Sequence, residues 1–187
     1  MSLDGYIGAK DGQLDWLIWN FGPEWKWDQV LQKTFIELTS TVDCILLSRK
    51  MAVEGFIGHW AKVADNPEDP QSAFAKKITD ARKVVFTKTL HKSEWVNTML
   101  AKGDLVTEVN SLKGQEGKDM VVYGGAGFAS SLIRAGLIDE LNLFVNPVAL
   151  GDGKAIFQGL DNQLRLELLK AQSYDCGVTL LQYKIRE

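Results

Sequence analysis

The chain has 187 residues, 45% of them apolar, and its 21 Lys and Arg nearly balance 24 Asp and Glu, for a formal charge of −3. A chain of this length buries roughly 70% of its unfolded surface around one core, so a single domain over 1–187 is expected. No basic run marks out a nucleic-acid face, and neither a membrane-length apolar stretch nor a basic-then-apolar leader is present, so a cytoplasmic location off the membrane is expected.

The chain opens with Ser2 to Gly8. Trp25, Val30, Leu31, Phe35 and Leu38 then recur at helical intervals, with Pro23 suited to a first turn. Val42 to Leu47 is a near-continuous apolar run, the pattern of a strand covered on both faces. Arg49 to Phe56 reads as a short helix and His59 to Pro70 as a loop, because it holds two prolines, Asn66 and three acidic residues. A helix from about Gln71 to Thr79 follows, closed by Lys76 and Lys77 in accord with the helix dipole. Lys83 to Thr87 is the next strand. Ser93 is expected to cap a helix running to about Lys102, Leu105 to Val109 to form a weaker strand, and Met120 to Tyr123 a strong one.

Phe128 to Ala135 reads as a helix with Gly136 as its C-cap. Leu141, Leu143 and Val145 alternate up to Pro147, and Leu164 to Leu168 with Val178 to Ile185 make a terminal antiparallel pair. The class is α/β: a mostly parallel central sheet, helices on both faces and a C-terminal antiparallel hairpin. Such sheets bind ligands at the carboxyl ends of their strands.

The glycines after Tyr123 fall at such an end. A strand ending in Gly124-Gly125-Ala126-Gly127 and opening a helix at Phe128 presents several backbone N–H groups where no side chain keeps a phosphate away. The segment nearly fits G-x-G-x-x-G, but Ser130 replaces the last glycine, and Asn146 stands near the end of the next strand, where an acidic residue would be expected. That disfavours a dinucleotide fingerprint of that type. No Gly-Lys-Ser/Thr follows, which excludes a P-loop. The competing reading is a tight strand-to-helix turn with no ligand. Gly151-Asp152-Gly153 carries less, since Gly and Asp are ordinary turn residues.

Two further strand ends carry polar groups. Ser48-Arg49-Lys50 follows the Val42 to Leu47 run, and Arg49 has the planar fork that grips a phosphate with two parallel bonds, favouring a 2′-phosphorylated cofactor. Thr87-Lys88-Thr89 adds hydroxyls and a third cation. Metal and nucleophile chemistry have no comparable support. His59 and His91 lack ligand-spaced neighbours, no G-x-S-x-G elbow occurs, and Cys44 and Cys176 lie far apart in the sequence.

Taken together, Ser2 to Gly8 (SLDGYIG), Leu46 to Lys50 (LLSRK), Val85 to Lys88 (VFTK), Val122 to Gly127 (VYGGAG) and Pro147 to Gly153 (PVALGDG) resemble, in this order, the dihydrofolate-reductase-like family that includes the reductase domain of bacterial riboflavin biosynthesis. The resemblance implies an NADPH-dependent reductase, often a homodimer. It implies that Arg49 and Lys50 meet the adenosine 2′-phosphate, Thr87 and Lys88 the adenosine side, Gly124, Gly125, Ala126, Gly127 and Phe128 the pyrophosphate, and Ile7 and Gly8 the nicotinamide. Ser48 replaces the family's usual glycine. The family also has about six to ten residues before its SLDG-type motif, a length typical of a strand, so the first strand is expected to be truncated at Met1.

On the substrate side, the family pattern makes Asp4 the first catalytic candidate: a carboxyl group there orients an amino group of a heterocycle or relays a proton. Its rival role is that of a turn residue in Asp4-Gly5. Asp28 is the second candidate, on the first helix. Trp16 and Trp27, from the group Trp16, Trp19, Phe21, Trp25 and Trp27, are the candidates to sandwich a planar ring, against the alternative of core packing. Three functions follow: an NADPH-dependent reductase of a small nitrogen heterocycle, the narrower aminouracil reductase of riboflavin biosynthesis, and a non-catalytic nucleotide sensor on the same fold.

Overall fold

The computed structural model describes residues 1–18, 28–123 and 125–186. Its elements run β1 (Tyr6–Ala9), α1 (Gln29–Thr39), β2 (Val42–Ser48), α2 (Arg49–Val53), α3 (Phe56–Ala64), α4 (Ser72–Asp80), β3 (Arg82–Phe86), β4 (Thr98–Ala101), α5 (Leu105–Lys113), β5 (Asp119–Val122), α6 (Ala126–Arg134), β6 (Glu140–Val145), β7 (Gly153–Ala155), β8 (Leu166–Ser173) and β9 (Thr179–Ile185). The class is α/β, as expected, with a parallel sheet, helices and a C-terminal antiparallel hairpin. Two compact units divide the chain: Met1–Leu31 with Ala126–Glu187, and Gln32–Gly125.

The Gln32–Gly125 unit is built on four parallel strands in the order β4-β3-β2-β5. Cys44, Ile45, Leu46 and Leu47 of β2 are all buried, which is why this central strand reads as an unbroken apolar run. On one face Ile45, Leu47 and Val85 pack with Ala52 of α2, Ile78 of α4 and Ala81. Lys83 is also inside, only 2% exposed. Its ammonium donates to the carbonyls of Ile78 (3.1 Å), Thr79 (2.7 Å) and Ala81 (2.7 Å), so a buried cation closes the carboxyl end of α4 with all three donors used.

Three sequence expectations are corrected here. The segment from His59 to Ala64 is helical, because Phe56, Ile57 and Trp60 fall on one face and pack against the core. The loop composition belongs only to Asp65 onward. The short helix after β2 stops at Val53, and Gly55, at φ 103°, turns the chain into α3.

The third correction exchanges two elements: Thr98–Ala101 is a strand paired with β3, and Leu105–Lys113 is a helix. No Ser93-capped helix forms; the Ser93 hydroxyl instead accepts a bond from the backbone N–H of Trp95, 3.3 Å away. The cap lies at Asp104, whose carboxylate accepts from the Thr107 N–H (3.0 Å), while Glu108 reaches back to the Gly103 N–H (2.7 Å). Val109 and Leu112, three residues apart on α5, are buried.

In the other unit, β6, β9 and β8 form an antiparallel sheet and β1 pairs antiparallel with β7. Ile133, Leu141 and Ile156 make its core. Gly136, at φ 65°, ends α6 as predicted, with the N–H groups of Gly136 and Leu137 returning to the carbonyls of Ile133 and Leu132. Residues 1–3 run beside the end of β6: Asn146 N–H donates to the Met1 carbonyl and Leu3 N–H to that of Val148, each at 2.7 Å. No helix of the described residues is long and apolar enough to cross a membrane.

Candidate active site

The register of the parallel strands brings their carboxyl ends to one edge of the Gln32–Gly125 unit. Ser48 stands opposite Phe86, Phe86 opposite Ala101, and Leu46 opposite Val122. The residues immediately after these strands therefore share that edge: Arg49 and Lys50 after β2, Thr87 and Lys88 after β3, Tyr123 and Gly125 after β5.

Their side chains are committed to different degrees. Ser48 caps α2 by accepting from the Met51 N–H at 3.2 Å, a local reason for serine at this position. Lys50 is exposed and lies 3.6 Å from Glu54, an i,i+4 pair that solvent leaves weak. Arg49 is exposed and makes no hydrogen bond or ion pair among the described residues. Thr87 is buried, and its hydroxyl accepts from the N–H groups of Thr89 (3.1 Å) and Leu90 (3.0 Å). The Lys88 ammonium donates to the carbonyls of Lys102 (2.7 Å) and Gly103 (2.6 Å), tying the segments after β3 and β4 together. Among the described residues, the free cation at this edge is thus Arg49.

Gly124 lies outside the described residues. Gly125 closes one unit, while Ala126, Gly127 and Phe128 open α6 in the other. A methyl group built on Gly125 or Gly127 would meet no atom of the other described residues within 4 Å, local backbone aside, and neither has a positive φ. The fold itself therefore does not demand glycine at either position. By contrast Gly151, at φ 72°, needs its glycine for the turn, and a side chain at Gly153 would strike the Gly8 carbonyl. The backbone explains that second glycine motif without a ligand. Gly127 also opens on a cleft of about 230 Å³ lined with Ser130, Arg134, Gln158 and Gly159.

In the same unit as that cleft, Ile7 and Gly8 lie in β1, with Gly8 facing Lys154 of β7. Asp4 is exposed, but its carboxylate is fully engaged. It accepts from the Ser2 hydroxyl (2.6 Å), the Leu150 N–H (3.0 Å) and the Gly151 N–H (2.7 Å). These bonds, the serine's first, hold its pKa down at about 2. This is the geometry of the turn residue: an anchor for 150–151 that is ionised at neutral pH and poorly suited to giving a proton. Asp28 accepts from the N–H groups of Val30 (2.8 Å) and Leu31 (3.0 Å) and so caps α1. Trp16 is buried, its indole N–H bonded to the Gln13 carbonyl at 3.1 Å, which matches core packing. Trp27 lies outside the described residues. Asn146 is buried and accepts from the Ile18 N–H at 3.1 Å.

Two residues escaped the sequence reading. Ser2 is 1% exposed and bridges Asp4 to the Tyr6 N–H; its place two residues before the aspartate was the available signal. Tyr123 entered the sequence reading as the end of a strand and as part of the VYGGAG motif, with no role of its own. Its ring packs on Phe56, with centroids 4.9 Å apart, and its half-buried phenol is pushed up to about 12 by burial.

Comparison with known proteins agrees with this architecture. Residues 1–180 match the model of a family described as the RibD C-terminal domain. YyaP of Bacillus subtilis, a protein of uncharacterized function, is 29% identical over 185 residues, covering 98% of this chain and 90% of YyaP. A Shewanella sp. PV-4 protein to which riboflavin biosynthesis is ascribed superposes with TM-score 0.72 at 21% identity, covering 100% of this chain and 96% of its own. The Thermotoga maritima diaminohydroxyphosphoribosylaminopyrimidine deaminase/5-amino-6-(5-phosphoribosylamino)uracil reductase gives TM-score 0.64 at 15% identity, over 99% of this chain and 54% of that one. Dihydrofolate reductase from Enterococcus faecalis gives TM-score 0.52 at 17% identity, over 86% of this chain and 84% of its own. Each likeness to these solved structures is a likeness of fold.

Proposed function

Because the chain belongs to the RibD C-terminal domain family, we propose that it is an NADPH-dependent cytoplasmic reductase, working as a homodimer, that reduces a small nitrogen heterocycle of the pterin or aminouracil kind. The observation that carries the reading is the strand-end edge, where, among the described residues, Arg49 keeps an unpaired guanidinium and Gly125 presents backbone with open space in place of a side chain. An anion with a phosphate oxygen array fits both features.

In this reading Arg49 grips the 2′-phosphate with its planar fork. Lys50 joins it by giving up an exposed ion pair of small worth. Thr87 and Lys88 support the adenosine side. Backbone N–H groups from Gly124 to Phe128 receive the pyrophosphate, the α6 N-terminus adding its positive dipole end. Ile7 and Gly8 border the nicotinamide. When bound, the cofactor supplies hydride, and the protein positions the rings and excludes water.

Asp4 in this scheme fixes the wall of the substrate pocket through its bonds to residues 150–151, and an amino group on the substrate would have to compete with them. Asp28 and Trp16 support the pocket through the α1 cap and the 13–16 turn, and Trp27 remains a candidate ring partner. The narrower reading, reduction of 5-amino-6-(5-phosphoribosylamino)uracil, is favoured by the family itself and by the name of the Thermotoga relative. NADPH oxidation with a panel of pterins, folates and aminouracil phosphates tests the proposal. Steady oxidation with at least one is expected, and turnover with the aminouracil phosphate alone selects the narrower reading. NADPH binding without turnover of any member would defeat it in favour of a nucleotide sensor.

A further inference from the structure

Tyr123 continues the parallel ladder one residue beyond β5: its N–H donates to the Leu46 carbonyl at 3.0 Å. That bond fixes the residue at the carboxyl edge, beside the end of β2 that carries Arg49. Its ring leans on Phe56 at 44° and joins the apolar cluster of Ile45, Leu47 and Val85, with Trp60 packed behind Phe56 at 6.3 Å. For this packing a phenylalanine would serve as well.

The hydroxyl sets Tyr123 apart. It makes no hydrogen bond among the described residues, although the residue is only partly open to water. A polar group withdrawn from solvent without a partner is a cost to folding that Phe would avoid. Burial keeps the phenol neutral across the physiological range, because its pKa is raised to about 12. It is therefore an O–H donor suited to a neutral acceptor, and open sheets of this kind take their ligands at this edge.

Resting on the reductase reading, we infer that Tyr123 is a substrate-contacting, specificity-determining residue whose hydroxyl donates to a ring carbonyl oxygen of the heterocycle, with Phe56 forming the apolar wall beside that ring. The substrate class is thereby narrowed to oxo-substituted heterocycles, which carry the acceptor the phenol lacks among the described residues.

The test is Tyr123→Phe, which keeps the ring and its packing. Wild type and variant are titrated, with NADPH present, against dihydropterin and diaminouracil, which carry a ring carbonyl, and against diaminopteridine, which does not; tryptophan fluorescence reads binding. At least one oxo ring should bind wild type and bind the variant about tenfold or more weakly, a loss of about 1.4 kcal/mol. Affinity for diaminopteridine and for NADPH, and the melting temperature, should not fall. Equal affinity of the two proteins for the oxo rings, no oxo ring binding wild type, or a loss confined to NADPH would each overturn the assignment. Failure of the reductase reading shows separately: NADPH would not be oxidised even where the oxo rings bind and distinguish the two proteins.

Discussion

Asp4 illustrates how a residue's neighbours decide its chemistry. A carboxylate that accepts from a serine hydroxyl and two backbone N–H groups is stabilised in its charged form, so its pKa falls to about 2, below the ordinary value. The folded state thus binds this proton less readily than the unfolded chain. Its contribution to stability is present above the unfolded value of roughly 4 and is lost as pH falls toward 2. Asp4→Asn should therefore melt below wild type at neutral pH, and the gap should shrink on acidification. Thermal melts of both proteins across that range check it; a gap independent of pH would mean that the ionised form contributes nothing. Tyr123 is the opposite case, a half-buried group whose hydroxyl has no hydrogen-bond partner among the described residues.

Among the elements, the strand-to-helix turn at 125–128 is the most informative. Because a methyl on Gly127 meets no atom of the other described residues, and alanine is favoured over glycine inside a helix by roughly 1 kcal/mol, Gly127→Ala should leave the melting temperature unchanged or raised. If backbone there approaches a pyrophosphate, the same substitution should weaken NADPH binding several-fold, measured by fluorescence titration; unchanged affinity would return the glycines to a purely conformational role. The elements that were legible in the sequence have strong one-dimensional signatures: the apolar run of β2, the alternation of β6, Gly136 after α6. Those that were misread had their signal in neighbouring residues. Around 93–109 the β-branched Val106 and Val109 suggest a strand, and the cap at Asp104 with Glu108 behind it is what makes them helical. At α3 the prolines that follow the helix concealed its apolar face. The strand ends that position Ser48, Arg49 and Thr87 were legible because parallel strands carry their own burial pattern. The bonds of Asp4 to residues 150–151 and those of Lys88 were not, since the partners lie 14 to 147 residues away.

At the scale of the whole molecule, each of the two units carries candidate groups of the proposed reductase. The parallel sheet of Gln32–Gly125 offers the cationic edge, and the unit that includes Ala126–Glu187 holds β1, the Asp4 anchor and the start of α6. The family match makes the chain a RibD C-terminal domain, and the Thermotoga and Enterococcus structures share its fold. The central claim is that a 2′-phosphorylated dinucleotide is the ligand of the cationic edge and that Arg49 selects it. The most direct measurement is the pair of dissociation constants for NADPH and NADH with wild type and Arg49→Ala. The account predicts that wild type prefers NADPH, and that the substitution weakens NADPH about tenfold or more while NADH changes little, since a bidentate guanidinium–phosphate contact is lost from one ligand only. Equal losses for the two cofactors, or no preference in wild type, would contradict it.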